Sequence, residues 1–115
     1  MDIAEWRKKI DALDLKLVEM INERAAAAQE IGRLKRHSDL PIYEPEREKK
    51  IFDNVSAANR GPLPNNELIR IFERLIDVMR KLQKDEIVGA NADTAQGTSI
   101  ANETADTEFE ADVND

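Results

Sequence analysis

The feature that most constrains this chain is a run of apolar residues spaced alternately three and four apart. Ile3, Trp6, Ile10, Leu13, Leu17 and Met20 open it, and beyond Arg24 it resumes with Ala27, Ile31 and Leu34. This is the heptad seam of a helix built to meet another helix. No proline precedes Pro41 and no glycine precedes Gly32. The spacing therefore predicts one helix over about residues 3–37, roughly 50 Å long at 1.5 Å per residue. The roughly 45 residues of body that follow cannot cover so long a rod in one ordinary globule. A second copy of the same helix is the expected cover.

After Ser38-Asp39-Leu40-Pro41 the chain restarts at Glu44-Pro45-Glu46-Arg47-Glu48. Pro45 suits the first helical position, where its missing N–H costs nothing, and acids in a first turn are favoured by the helix dipole. Ile51, Phe52 and Val55 give this short helix its apolar side, and Gly61-Pro62-Leu63-Pro64 ends it. Asn65 or Asn66 is the expected cap of a third helix. Its stripe Leu68, Ile69, Phe72, Leu75, Ile76, Met79, Leu82 runs to about residue 86. No strand-turn-strand pattern occurs, so the fold class is all-α: a protomer of long, short and medium helices.

Charge divides the chain into two parts. The formal net charge of −7 equals the charge of residues 87–115, which hold seven acids and neither Lys nor Arg. Residues 1–86 are thus a neutral helical domain. The acidic tail, rich in Ala, Thr, Asn and Asp, is expected to be disordered. With no cysteine, disulfides, thiolate metal sites and cysteine nucleophiles are excluded. The single histidine, His37, leaves no His-rich metal site or ordinary triad, and it reads as a solvated residue near a helix C-terminus. No metal, cofactor, nucleic-acid partner or membrane segment is expected, and the compartment is expected to be the cytoplasm. Trp6 and Met20 are expected core residues.

Polar residues that interrupt the seams are the informative positions. Arg24 stands between Met20 and Ala27 where an apolar residue belongs, and its guanidinium does not shed its charge. It needs an anion, with Glu23 and Asp77 as internal candidates. Read alone, it fits a buried ion pair or a polar residue that fixes register. Lys35 lies 11 residues further on, about 20° around the helix and about 16 Å along it, so both cations face one side. Arg7 is about 25 Å before Arg24 and roughly 100° round, out of reach of anything Arg24 holds on the same helix. Antiparallel pairing with a second copy could bring that copy's Arg7 there; otherwise Arg7 reads as an exposed N-terminal arginine beside Lys8 and Lys9. Glu44, Arg47 and Glu48 share the first turn of the short helix and, alone, read as a surface ion cluster. Gln83 continues the line Ile69, Phe72, Ile76, Met79 as a neutral polar residue, or is the solvated end of the third helix.

Together these residues resemble a known family. Arg7-x-x-Ile10-Asp11-x-Leu13-Asp14-x-x-Leu17, Ile21-Asn22-Glu23-Arg24, Glu30-Ile31-Gly32-x-x-Lys35, Pro45-x-Arg47-Glu48 and Ile71-Phe72 with Ile76 and Gln83 are similar to the all-helical chorismate mutases. The resemblance spans residues 3–86 and implies an intertwined homodimer that converts chorismate to prephenate on the way to phenylalanine and tyrosine. It implies that Arg24 and Arg47 bind the substrate carboxylates, joined by Arg7 of the second copy. It further implies that Lys35 and Gln83 are catalytic donors to the breaking ether oxygen, that Glu48 engages the ring hydroxyl and that Glu44 lines the pocket. Glu44 stands where Asp is common, and Met79 where a small or hydroxylic residue touches a carboxylate, so Met79 is left out of the expected site. Isochorismate pyruvate lyase, which shares the fold, and a non-enzymatic helical dimerisation module are the alternatives. The sequence names no pathway-enzyme partner.

Overall fold

The computed structural model describes residues 1–92, which form three helices: α1 (Ile3–Arg36), α2 (Pro45–Ala58) and α3 (Asn65–Ala92). Among the described residues there are no strands, and no helix is long and apolar enough to cross a membrane. Asp2 starts α1 through a capping box, its carboxylate accepting from the Glu5 N–H and the Glu5 side chain accepting from the Asp2 N–H, both at 2.9 Å. The helix stops at His37, which is exposed and whose N–H donates to the Leu34 carbonyl at 3.2 Å. Pro45 opens α2 at the first helical position, as its fixed φ predicts.

Two expectations change at α3. Asn65 does not cap it: the Pro64 carbonyl accepts the first helical bond, from the Leu68 N–H at 3.0 Å. The Asn65 side chain is instead engaged by Asn59, whose amide donates to Asn65 Oδ1 at 2.6 Å and to the Leu63 carbonyl at 2.8 Å. Asn59 Oδ1 also accepts from the Gly61 N–H at 3.0 Å, and Gly61 takes the left-handed φ of 74° that favours glycine. The α3 helix then runs six residues past the expected end at residue 86, to Ala92. Ile87 is half-buried and the following residues carry no proline, so nothing interrupts the helix there. The rest of the expected disordered tail lies outside the described residues.

Both α1 and α2 pack on α3, and they do not pack on one another. The core is small and sits where α3 meets the C-terminal third of α1, with Ala28, Ile76 and Met79 buried. Gly32 is the closest approach. A Cβ built there would lie 2.9 Å from Gln83 Cα and 3.0 Å from the Gln83 carbonyl oxygen, so only glycine admits α3 at this distance. Glu86, one turn on, accepts from Arg36 Nη2 through its carbonyl at 2.9 Å and its carboxylate at 3.2 Å, and pairs with Arg33 Nε at 3.3 Å. These contacts pin the end of α1 to α3.

The N-terminal part of α1 has no such cover. Ile3, Trp6, Ile10, Leu13, Leu17 and Met20 are between 46% and 68% exposed. The expectation that Trp6 and Met20 belong to the core fails within one chain. Neither α2 nor α3 covers that stretch of α1, and its large side chains meet no partner element among the described residues.

Candidate active site

Because α1 and α2 touch α3 but not each other, a cleft opens between them with α3 as its floor. It encloses about 360 Å³, the scale of a small-metabolite pocket. Ala27, Ala28 and Ile31 from α1, Ile42 from the loop, Ile51 from α2, and Ile76 and Met79 from α3 form its apolar lining. Set into that lining are the cations Arg24, Lys35, Arg47 and Arg80, the acids Glu44 and Glu48, and Gln83. The cations outnumber the acids by two, so the pocket favours an anion.

Lys35 is the most enclosed of these, 6% exposed. Its ammonium donates to Glu44 Oε1 at 2.9 Å and to Gln83 Oε1 at 3.0 Å, with the Ile42 carbonyl more distant at 3.5 Å. A buried ammonium requires such partners, since desolvating an unpaired charge is prohibitive. The geometry also fixes the Gln83 amide. Lys35 only donates, so Gln83 must turn its oxygen toward it and leave its NH₂ to donate elsewhere. Gly32 makes the meeting possible by letting the Gln83 backbone approach α1.

Arg24 and Arg47 behave differently. Neither has an ion pair among the described residues. Burial, and secondarily the Arg47 guanidinium, lower the Arg24 pKa from its ordinary value. An arginine stays protonated regardless, so the shift expresses a cation held without a compensating anion. The internal partners considered for Arg24 are not used: Asp77 lies 3.4 Å from Arg80 instead, and Glu23 makes no ion pair. The surface cluster expected for Glu44, Arg47 and Glu48 does not form either. Glu44 turns to Lys35 and makes no capping bond to α2, while Glu48 turns to Arg80 at 2.8 Å. Tertiary partners win because they are already partly desolvated, which strengthens each charge-assisted bond.

The structure thus brings Arg24, Lys35, Glu44, Arg47, Glu48 and Gln83 to one cleft. It does not bring Arg7 there: within the chain Arg7 is exposed on the bare part of α1. Two lining residues escaped the sequence reading. Met79, set aside on pattern, is buried and faces the cleft. Arg80 was not singled out from the sequence, although its place one turn before Gln83 put it on the same face. Among the described residues, no group of His, Asp or Glu is arranged to hold a metal.

Fold and site define a small all-helical protein with a cationic pocket for a compact anion. The chain belongs to the family described as chorismate mutase type II, which matches residues 6–84. It is 39% identical over 83 residues to the chorismate mutase of Methanocaldococcus jannaschii, covering 71% of this chain and 84% of that protein. It is 36% identical over 87 residues to the bifunctional chorismate mutase/prephenate dehydratase of Aquifex aeolicus. That match takes in 72% of this chain and 24% of the relative, so the chain spans about a quarter of the length of such bifunctional relatives. Among solved structures, a chorismate mutase (form II) from Thermus thermophilus superposes with a TM-score of 0.70 at 30% identity, over 71% of this chain and 93% of that one. A Helicobacter pylori chorismate mutase in complex with prephenate gives 0.67 at 29% identity, over 74% and 92%.

Proposed function

We propose that this chain is a chorismate mutase, which rearranges chorismate to prephenate inside the α1–α2 cleft. The observation that carries the reading is the contact of Lys35 with Gln83 at 3.0 Å beside two arginines that have no ion pair among the described residues. The reaction is unimolecular: an ether C–O bond breaks as a C–C bond forms, with no nucleophile, redox group or metal required. The protein's task is to fold a flexible dianion into its reactive conformer and to favour the charge that develops as the bond breaks. Arg24 and Arg47 clamp the carboxylates, and guanidinium forks suit that bidentate role. The dianion also supplies the counter-charge that Arg24 lacks in the free protein.

Negative charge gathers on the ether oxygen in the transition state. The Gln83 NH₂, aimed by Lys35, and the Lys35 N–H that makes only the long 3.5 Å contact with the Ile42 carbonyl are the donors for that oxygen. Both are in place before the reaction starts, so no reorganisation is needed when the charge appears. Glu48 accepts from the ring hydroxyl. Glu44 holds the ammonium in position.

The working unit is a homodimer. Six large apolar residues at heptad spacing, all about half exposed, are what a second α1 would cover, and the same pairing would carry Arg7 of the second copy to this cleft. The chain alone is a site lacking one cation.

Incubating the purified protein with chorismate and with isochorismate in parallel tests the assignment. Loss of chorismate with stoichiometric prephenate is expected. Pyruvate release from isochorismate without any prephenate would reassign the protein as a lyase, and no turnover of either would leave a helical dimerisation module.

A further inference from the structure

The cleft contains one cation with no part in the mechanism above. Arg80 stands on α3 opposite Glu48 on α2, and Nε at 3.2 Å and Nη2 at 2.8 Å both donate to the same carboxylate oxygen, Oε2. Glu48 Oε1 receives no hydrogen bond among the described residues. The guanidinium is itself held from two other directions. Asp77, on its own helix, lies 3.4 Å from Nη2, and the Tyr43 ring from the α1–α2 loop lies 5.2 Å from Cζ, within cation–π range.

We propose that Arg80 is a positioning residue for Glu48: it takes up one carboxylate oxygen and leaves the other as the acceptor for the hydroxyl of the bound molecule. This rests on the reading of the cleft as the chorismate site. The arrangement answers a specific difficulty. An unheld Glu48, neighbour in sequence to Arg47, would be drawn to the cations meant for the substrate and would cancel part of the clamp. Arg80 supplies Glu48 with its own counter-charge and keeps Arg24 and Arg47 available. The side chain that does this is long, so Tyr43 and Asp77 are needed to fix its planar end.

Arg80→Ala, Glu48→Gln and the double variant, assayed for kcat/KM on chorismate, form a cycle that isolates the pair. Arg80→Ala is expected to lose about 10- to 100-fold, the scale of a misplaced reacting group. Adding Arg80→Ala to Glu48→Gln is expected to cost less than about threefold more, because the effect passes through Glu48. Arg80→Lys should recover part of the loss, since an ammonium still gives Glu48 one donor. A crystal structure of Arg80→Ala should show the Glu48 carboxylate moved from its wild-type place. Fully additive losses would overturn the proposal and make Arg80 a direct contact of the anion, and so would wild-type turnover in Arg80→Ala. If Arg80→Ala does not fold, Arg80→Lys and Glu48→Gln complete the same cycle. Wild-type protein inactive on chorismate would instead refute the functional reading, and the Glu48 position in Arg80→Ala would still decide the role of Arg80.

Discussion

The two ends of α1 carry different kinds of surface. From Ala28 to Lys35 it turns small residues toward α3, and two of them, Ala28 and Gly32, let the helices approach until Lys35 meets Gln83. From Ile3 to Met20 the same helix presents large residues to no other element among the described residues. Small residues bring two backbones close and fix polar groups with little freedom. Large ones at heptad spacing need holes on a facing helix, and burying each fully is worth on the order of 1.5–3 kcal/mol. The difference teaches that one end of the helix is shaped to hold polar groups in place, and that the other, on the reading proposed above, is left for a second copy to cover.

The largest expected effect comes from breaking the bare end. Leu13→Asp with Leu17→Asp places two carboxylates in the seam, and buried unpaired charge is not tolerated there. Sedimentation velocity should show a monomer, and chorismate turnover should fall to background because no Arg7 reaches the cleft. A variant that stays dimeric and active would mean that the bare face is covered by something other than a second α1.

The covered end breaks differently. Lys35→Ala should lower kcat by about 10²- to 10³-fold, the cost of removing one preorganised donor to a developing oxyanion. The dimer and the far-ultraviolet circular dichroism should be unchanged. Little stability is at risk, since of the two partners left behind Glu44 is 42% exposed at its side chain and Gln83 is only half-buried, so both can return to water. Wild-type turnover by Lys35→Ala would reject the mechanism while leaving the fold reading intact.

How much of this was legible before the structure follows from the same contrast. A heptad seam is a local pattern, so the helices, the shared face of Arg24 and Lys35, and the anomaly of Arg7 could be read from spacing alone. Partner choice was not local. Glu48 and Arg80 are 32 residues apart in sequence, and Glu44 reaches back to Lys35 across a loop whose path no propensity describes. Met79 was left out of the expected site because it stands where a small or hydroxylic residue touches a carboxylate, and it is both core and pocket wall. The end of α3 was placed early because the change in composition after residue 86 is real, but a helix already packed at Glu86 continues until something stops it.

Gly32 offers a subtler test of the covered end. Gly32→Val must move the Gln83 backbone, because the nearest atoms to the new side chain are main chain and cannot swing aside. Overpacking of this kind costs about 1–3 kcal/mol, read as a lowered Tm. The activity loss should be smaller than that of Lys35→Ala, about 10- to 100-fold, and should fall on kcat more than on KM, since the donors shift while the arginine clamp remains. Equal losses in Gly32→Val and Lys35→Ala would show that the spacing of α1 and α3 matters to more than the Lys35–Gln83 pair.

The smallest effect is expected past the cleft. We place the boundary of the catalytic domain near residue 86, and truncation there or after Ala92 should leave kcat/KM for chorismate within about twofold of the full chain, since among the described residues none beyond Gln83 lines the cleft. The two truncations should nonetheless differ in stability. Ending at Glu86 keeps both acceptors for Arg36 but strips the last helical turns and the half-buried Ile87, which should lower stability by about 1 kcal/mol relative to ending at Ala92. A thermal melt of the three proteins separates these cases. If activity instead falls with the Glu86 truncation and not with the Ala92 one, the last turns of α3 hold the Arg36–Glu86 contact in place. The covered end of α1 would then depend on more of α3 than the cleft itself uses.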